Sequence, residues 1–388
     1  MIVFIAAFLI SAVVAIMLLK STWIHGHMSF DHDLDSVQKH HSVPVPRIGS
    51  VAILSGLIFG LLFYFSENQN NAVLGLELVL ASTPIFFVGL FEDLTKRIGV
   101  RTRFLAALVS AAWAGYITDN WLLRLDIDAL DNLLLAWPLL AVTLTCFAVT
   151  GVTHAFNLID GYNGLCSMVG ILILSGIAYL AYQVGDMAIA IAALGLIGAL
   201  LGFFVFNYPF GLIFLGDAGA YVIGFWIAQL SVFLVARNPE VSPWFALLLC
   251  FYPVFETLFT IYRRLLVRRV SPGLADGVHL HHFIHKRIVR LMLSSKHRAK
   301  PVLTNSLTAP YLWGFCSIIA IPAVIWWQNT LVLQGFCLLF AVGYIVVYRQ
   351  IAYFKTPRWL KLFSRKTLLT TLDSKETKAQ SVRNPTSK

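Results

Sequence analysis

Residues 187–206 read MAIAIAALGLIGALLGFFVF, with no charge, and the polar stretch Asn207-Tyr208-Pro209-Phe210-Gly211-Leu212-Ile213-Phe214-Leu215-Gly216-Asp217-Ala218-Gly219 follows at once. An apolar run of that length matches the roughly 20 residues that an α-helix needs to cross a hydrocarbon core about 30 Å thick. The pattern recurs along the chain. Eleven such runs lie near residues 2–19, 49–66, 74–91, 104–118, 133–152, 165–182, 187–206, 219–236, 243–261, 309–327 and 331–348. The 388 residues are 58% hydrophobic and only 12% charged, with a mean hydropathy of +0.77. Soluble domains carry about 25% charged residues, so soluble folds are excluded. The expected fold is an all-α integral membrane protein, a polytopic bundle of about eleven transmembrane helices over residues 1–348. Residues 349–388 are expected to form a basic, disordered cytoplasmic tail.

The loop charges set the expected orientation. Loops reached after every odd-numbered run carry 27 of the 29 Lys and Arg residues, and the other side has only Arg124 and Arg237. The acidic residues are split far more evenly. Basic excess marks the cytoplasmic side, which puts the N-terminus outside and the C-terminus inside. The first run opens Met1-Ile2-Val3 without a basic segment before it, and reads as a retained helix rather than a cleaved signal. The net charge of +10 therefore points to lipid headgroups and an anionic substrate, not to nucleic acid. The five cysteines lie in or beside apolar runs without metal-ligand spacing and read as small core residues.

Threaded in that order, four polar clusters fall on the cytoplasmic face. Glu92-Asp93 is a carboxylate pair at a membrane boundary, where repulsion and nearby hydrocarbon disfavour two charges unless a cation or a proton relieves them. Asn157 and Asp160, three residues apart, share the face of a helical turn, and no basic residue lies nearby to balance Asp160. Asp217 is the only charge between Asp186 and Arg237, and small residues flank it. His279, His281 and His282 sit in the largest basic loop with oxygen ligands elsewhere, which favours hydrogen bonding to phosphate over a zinc site. Turns and solvated helix ends can carry each of these patterns singly. Their convergence on one face is what points to a metal-assisted enzyme. No P-loop, G-x-S-x-G or H-E-x-x-H motif is present.

Together with Gln38-Lys39-His40-His41-Ser42-Val43-Pro44-Val45-Pro46-Arg47-Ile48-Gly49, these motifs run in order from about Gln38 to His282. They resemble the polyprenyl-phosphate N-acetylhexosamine-1-phosphate transferases, the MraY/WecA family of glycosyltransferase 4 type. The resemblance implies eleven helices, a multi-pass protein of the bacterial inner membrane, and an active site facing the cytoplasm. It implies Mg²⁺ (with Mn²⁺ as a substitute), transfer of a sugar-1-phosphate from a UDP-N-acetyl amino sugar to undecaprenyl phosphate, and release of UMP. A lipid-linked glycan for O-antigen, capsule or another envelope polymer would begin there. The resemblance also implies Asp217 as metal ligand, Glu92 as general base and Asp93 as its catalytic partner. Lys39, Asn157, Asp160 and Asn207 match nucleotide or sugar-phosphate contacts, Phe214 a uracil-stacking aromatic, and His279, His281 and His282 a phosphate-handling loop. A homodimer is a further implication. The chain departs from the family pattern at Glu92, His154, Asn163 and Ser50, where Asp, Asn, Asp and Gly are usual. A membrane transporter of lipid-linked or nucleotide sugars is the rival reading, with Glu77 and Glu256 as the acids nearest mid-membrane.

Overall fold

The computed structural model describes residues 1–29, 44–66, 69–271, 276–293 and 301–354. Among these the chain is helical: α1 Ile2–Lys20, α2 Thr22–Ser29, α3 Gly49–Phe65, α4 Gln69–Thr95, α5 Val100–Thr118, α6 Asp128–Ala136, α7 Pro138–Ile159, α8 Leu165–Gln183, α9 Met187–Asn207, α10 Gly216–Arg237, α11 Pro243–Leu249, α12 Phe251–Tyr262, α13 Leu280–Ile284, α14 Pro301–Ser306, α15 Ala309–Ile325 and α16 Thr330–Ala352. In lipid every backbone polar group must be satisfied within the segment, so apolar runs of this length have one solution, the helix. All eleven predicted runs are helical. Eight helices among the described residues are long and apolar enough to cross a membrane, and α11 with α12, bent by 73° at Cys250, makes a ninth. The protein is a multi-pass membrane protein. Several runs differ in extent: α4 continues through Glu92 and Asp93, α5 starts at Val100, before Arg101 and Arg103, and the run 133–152 is broken at Trp137, with α7 continuing to Ile159.

Helix α10 is the axis of the bundle. Every residue of its membrane window is buried, and α3, α4, α5, α7 and α8 pack around it. Small residues set the closest approaches. A methyl group on Gly89 of α4 would lie 2.6 Å from the Ala218 Cα, so only glycine lets the two helices meet there. In the same way α1 lies against α3 and α9, where a methyl on Gly198 would come within 2.3 Å of the Phe4 carbonyl oxygen. The enclosure fixes the N-terminus of α10 at the centre of one end of the bundle. The C-terminal ends of α4, α7 and α9 and the N-terminal ends of α3 and α5 surround it.

Candidate active site

An α-helix starts with backbone N–H groups that have no partner within it. At α10 a different helix supplies the partner. The buried carboxylate of Asp93, near the C-terminus of α4, accepts from the Asp217 N–H at 2.9 Å with Oδ1 and from the Ala218 N–H at 3.0 Å with Oδ2. A carboxylate is favoured at this end of the helix dipole. Gly216 makes the approach possible: its φ is +78°, and a methyl there would meet the Arg47 carbonyl at 2.4 Å and Asp93 Oδ2 at 2.5 Å.

Asp217 extends from this first turn and is held between two arginines. Arg47 Nη2 donates to Oδ1 at 3.1 Å, and Arg103 Nη1 donates to Oδ2 at 2.8 Å. Arg47 also stands 3.6 Å from Asp93 Oδ1. The segment carrying Arg47 is pinned to the α9–α10 loop by backbone bonds: the Phe214 N–H donates to the Pro46 carbonyl at 2.8 Å, and the Gly49 N–H to the Phe214 carbonyl at 3.0 Å. The side chain of Asp160, the residue after α7, makes no hydrogen bond or ion pair among the described residues, though its N–H donates to the Asn157 carbonyl at 3.3 Å. The carboxyl lies close enough to Asp93, Asp217 and Arg47 to feel their charges.

The other predicted residues take several positions. Asn157 is half-buried, with no side-chain hydrogen bond among the described residues. Asn207 uses both ends of its amide on the chain, its Oδ1 accepting from the Gly164 N–H at 2.6 Å and its Nδ2 donating to the Ile213 carbonyl at 2.8 Å. Glu92 Oε2 accepts from the Ile98 N–H at 2.7 Å and so ties the α4–α5 turn. As neighbours on one helix, Glu92 and Asp93 do not face each other. His279, His281 and His282 are all buried, and His281 reaches the Asp160–Gly161 turn: a methyl on Gly161 would lie 3.6 Å from its Nε2. The ring of Tyr162 packs against both His281 and His282. Asn163 docks on α14, its N–H donating to Asn305 Oδ1 at 2.8 Å. His154 lies between the rings of Phe104 and Tyr221, with ring centroids 5.7 and 5.2 Å away. Lys39 lies outside the described residues, as does the tail from residue 355.

The sequence model of Glycosyl transferase family 4 matches residues 75–235, which carry Asp93, Arg103, Asp160 and Asp217. The chain is 28% identical over 326 residues, 82% of each chain, to the probable undecaprenyl-phosphate N-acetylglucosaminyl 1-phosphate transferase of Bacillus subtilis (strain 168). It is also 28% identical over 264 residues to the undecaprenyl-phosphate alpha-N-acetylglucosaminyl 1-phosphate transferase of Yersinia pestis, covering 65% of this chain and 68% of that one. The corresponding protein of Escherichia coli (strain K12) is 25% identical over 265 residues, with the same coverage. Over residues 75–235 the chain is similar to glycosyltransferase family 4.

The arginine pair is not legible in the sequence. Arg47 stands in the Pro46-Arg47-Ile48-Gly49 motif without a role, and Arg103 reads only as one of the basic loop residues. Because α5 begins at Val100, Arg103 sits in its first turn and reaches Asp217. A helix start placed three or four residues earlier was the missing signal.

No three or more His, Cys, Asp or Glu side chains among the described residues are arranged to hold a metal ion as they stand. The donor set nonetheless fits Mg²⁺. It consists of carboxylate oxygens, one of them on the unpartnered Asp160, and Mg²⁺ is commonly held by one or two carboxylates plus substrate phosphates.

Burial raises the Asp160 carboxyl from its ordinary 3.8 to about 7, with Asp217 and Asp93 adding to the rise and Arg47 opposing it. A carboxyl whose folded pKa is raised binds more protons in the folded than in the unfolded chain, so stability falls as pH rises from about 4 to about 7. Asp160→Asn removes that dependence. Its unfolding temperature in detergent is expected to gain on the parent's across that pH window and to hold a constant lead above it. A lead that does not change with pH would show that the Asp160 carboxyl ionises as in water.

Proposed function

We propose that this protein transfers an N-acetylhexosamine-1-phosphate from a UDP-sugar to undecaprenyl phosphate, releasing UMP and starting a lipid-linked glycan. The observation that carries the reading is the convergence of Asp93, Asp160 and Asp217 with Arg47 and Arg103 around the N-terminus of the enclosed α10. The loop charges support a site that faces the cytoplasm of a bacterial inner membrane in an eleven-span arrangement.

Phosphoryl transfer asks a protein for positioning and charge neutralisation more than for covalent chemistry. The lipid phosphate attacks the β-phosphorus of the UDP-sugar, the bond from that phosphorus to the bridging oxygen breaks, and UMP leaves. Arg47 and Arg103 present two fixed positive charges at Asp217, where the phosphates would lie, and Arg forks suit phosphate oxygens. Asp93 holds the first turn of α10 in place. Asn157 and Asp160 offer polar groups free to bind donor or cation, and Phe214 is the aromatic at the nucleotide side. Asp217, with Asp160, would hold Mg²⁺, which when bound supplies charge neutralisation for the diphosphate. Because a phosphate monoester is largely ionised at pH 7, a role for Glu92 as general base is testable by Glu92→Gln at neutral pH, and not required by the chemistry. His281 stands close behind the Asp160 turn, with His279 and His282 packed on it. The transporter reading finds no support: Glu256 is bonded within the fold, and the relatives bear enzyme names.

The test is UMP release by the purified protein with undecaprenyl phosphate and a panel of UDP-N-acetyl amino sugars, in Mg²⁺ and in EDTA. Release that requires the lipid, one donor and the metal is expected. Absence of UMP with every donor, or release without lipid, would overturn the reading.

A further inference from the structure

A buried carboxylate that this scheme does not use lies on α12. Glu256, with about 1% of its side chain exposed, accepts from three sides. Oε1 lies 3.2 Å from His279 Nδ1 and accepts from the Leu280 N–H at 3.3 Å, while Oε2 accepts from the Tyr344 hydroxyl at 2.6 Å. One turn along α12, the Thr260 hydroxyl stands 3.1 Å from the same His279 nitrogen. Three segments far apart in sequence therefore meet on one side chain: α12, the start of α13 and α16.

A leucine would fill this space at lower cost if only packing mattered, because burying a carboxylate is costly unless hydrogen bonds compensate. An ionised carboxylate has two oxygens that only accept, so it can serve all three neighbours together. As acceptor it also favours the His279 tautomer with the proton on Nδ1, which fixes the direction of Nε2. His279 packs on His281 and His282 at 5.2 and 5.5 Å between ring centroids, and His281 abuts the Asp160–Gly161 turn. Contact thus runs from Glu256 through His279 and His281 to Gly161, the residue after Asp160.

We infer that Glu256 is a positioning residue of the transferase, which orients the histidine loop and so sets His281 against the Asp160 turn. The inference rests on the transfer reading for its kinetic consequence, and on geometry alone for the docking. Glu256→Gln keeps the size but turns one acceptor into a donor that opposes Tyr344 or the His279–Leu280 donors. The loop's other anchors, the buried Arg263–Asp276 ion pair and His285 with Thr308 at 3.1 Å, remain in that variant. Loss of the partners that orient metal-bound histidines typically costs about 10- to 100-fold in activity, and the same scale is taken for the partner that orients His279.

The experiment measures kcat and KM for UMP release together with backbone amide exchange. In Glu256→Gln, kcat is expected to fall about 10- to 100-fold with the donor KM little changed. Exchange over Leu280–Ile284 should quicken, while exchange in α10 stays as in the parent. Tyr344→Phe, which removes one donor and leaves Glu256 in place, should shift both readouts the same way by less. Parental kcat and exchange in Glu256→Gln would overturn the inference. If that variant does not fold, parental kcat and exchange in Tyr344→Phe would do so. A parent that releases no UMP would instead overturn the transfer reading, and loop exchange would still test the docking.

Discussion

Asp217→Asn is expected to lower UMP release by on the order of 10²- to 10³-fold, the scale seen when one preorganised electrostatic group is removed from a reacting centre, while the unfolding temperature in detergent stays near the parent's. Asparagine keeps the shape and one acceptor oxygen but loses the charge that both arginines address. Arg47, Arg103 and Asp217 are each partly exposed at the side chain, 20, 18 and 15%, so water can serve the arginines once that charge is gone. The backbone is unaffected, because the Asp217 N–H still donates to Asp93. Activity and stability therefore separate at this position. An Asp217→Asn enzyme with parental turnover would remove both the metal role and the arginine-centred charge argument. A marked drop in stability would mean that the ion pairs hold the fold rather than the reactants.

The fold was legible because the membrane removes alternatives. An apolar run such as 187–206 cannot hide its backbone polar groups in any other way, and the runs are helical, though 133–152 and 243–261 each divide between two helices. Helix ends were less legible. The carboxylates at 92 and 93 read as a loop pair, yet both lie on α4, and Asp93 reaches another helix rather than solvent. Residues 100–103 read as loop, yet they open α5 and bring Arg103 to Asp217. The acids of the site stood out because each is isolated beside apolar sequence. What a polar side chain bonds to was not legible. Asn207 satisfies its own chain through the backbone at 164 and 213, contacts that depend on how two loops meet. Glu256 could be placed only under the rival transporter reading, because its partners lie 23 and 88 residues further on, at His279 and Tyr344.

Asp93→Asn is expected to lower activity and stability together, unlike Asp217→Asn. Asp93 gives one oxygen to each of two backbone N–H groups at the start of α10. An asparagine has only one such oxygen, so its NH₂ group would confront the second N–H at a side chain that is fully buried. A hydrogen bond to a charged group is worth about 1.5–3 kcal/mol, and a buried donor left unsatisfied costs about 1–3 kcal/mol, so a loss of roughly 2–4 kcal/mol is expected for the two effects, which overlap. Arg47 would also lose a nearby counter-charge at 3.6 Å. Because α10 is enclosed on all sides, its first turn cannot slide to a new partner, and the disturbance passes straight to Asp217 one residue on. Thermal or denaturant unfolding in detergent measures the first effect, and UMP release the second. An Asp93→Asn protein that is fully stable but inactive would transfer Asp93 from holding the helix start to reacting with the substrate. A stable and active one would show that the N-terminus of α10 needs no carboxylate from α4.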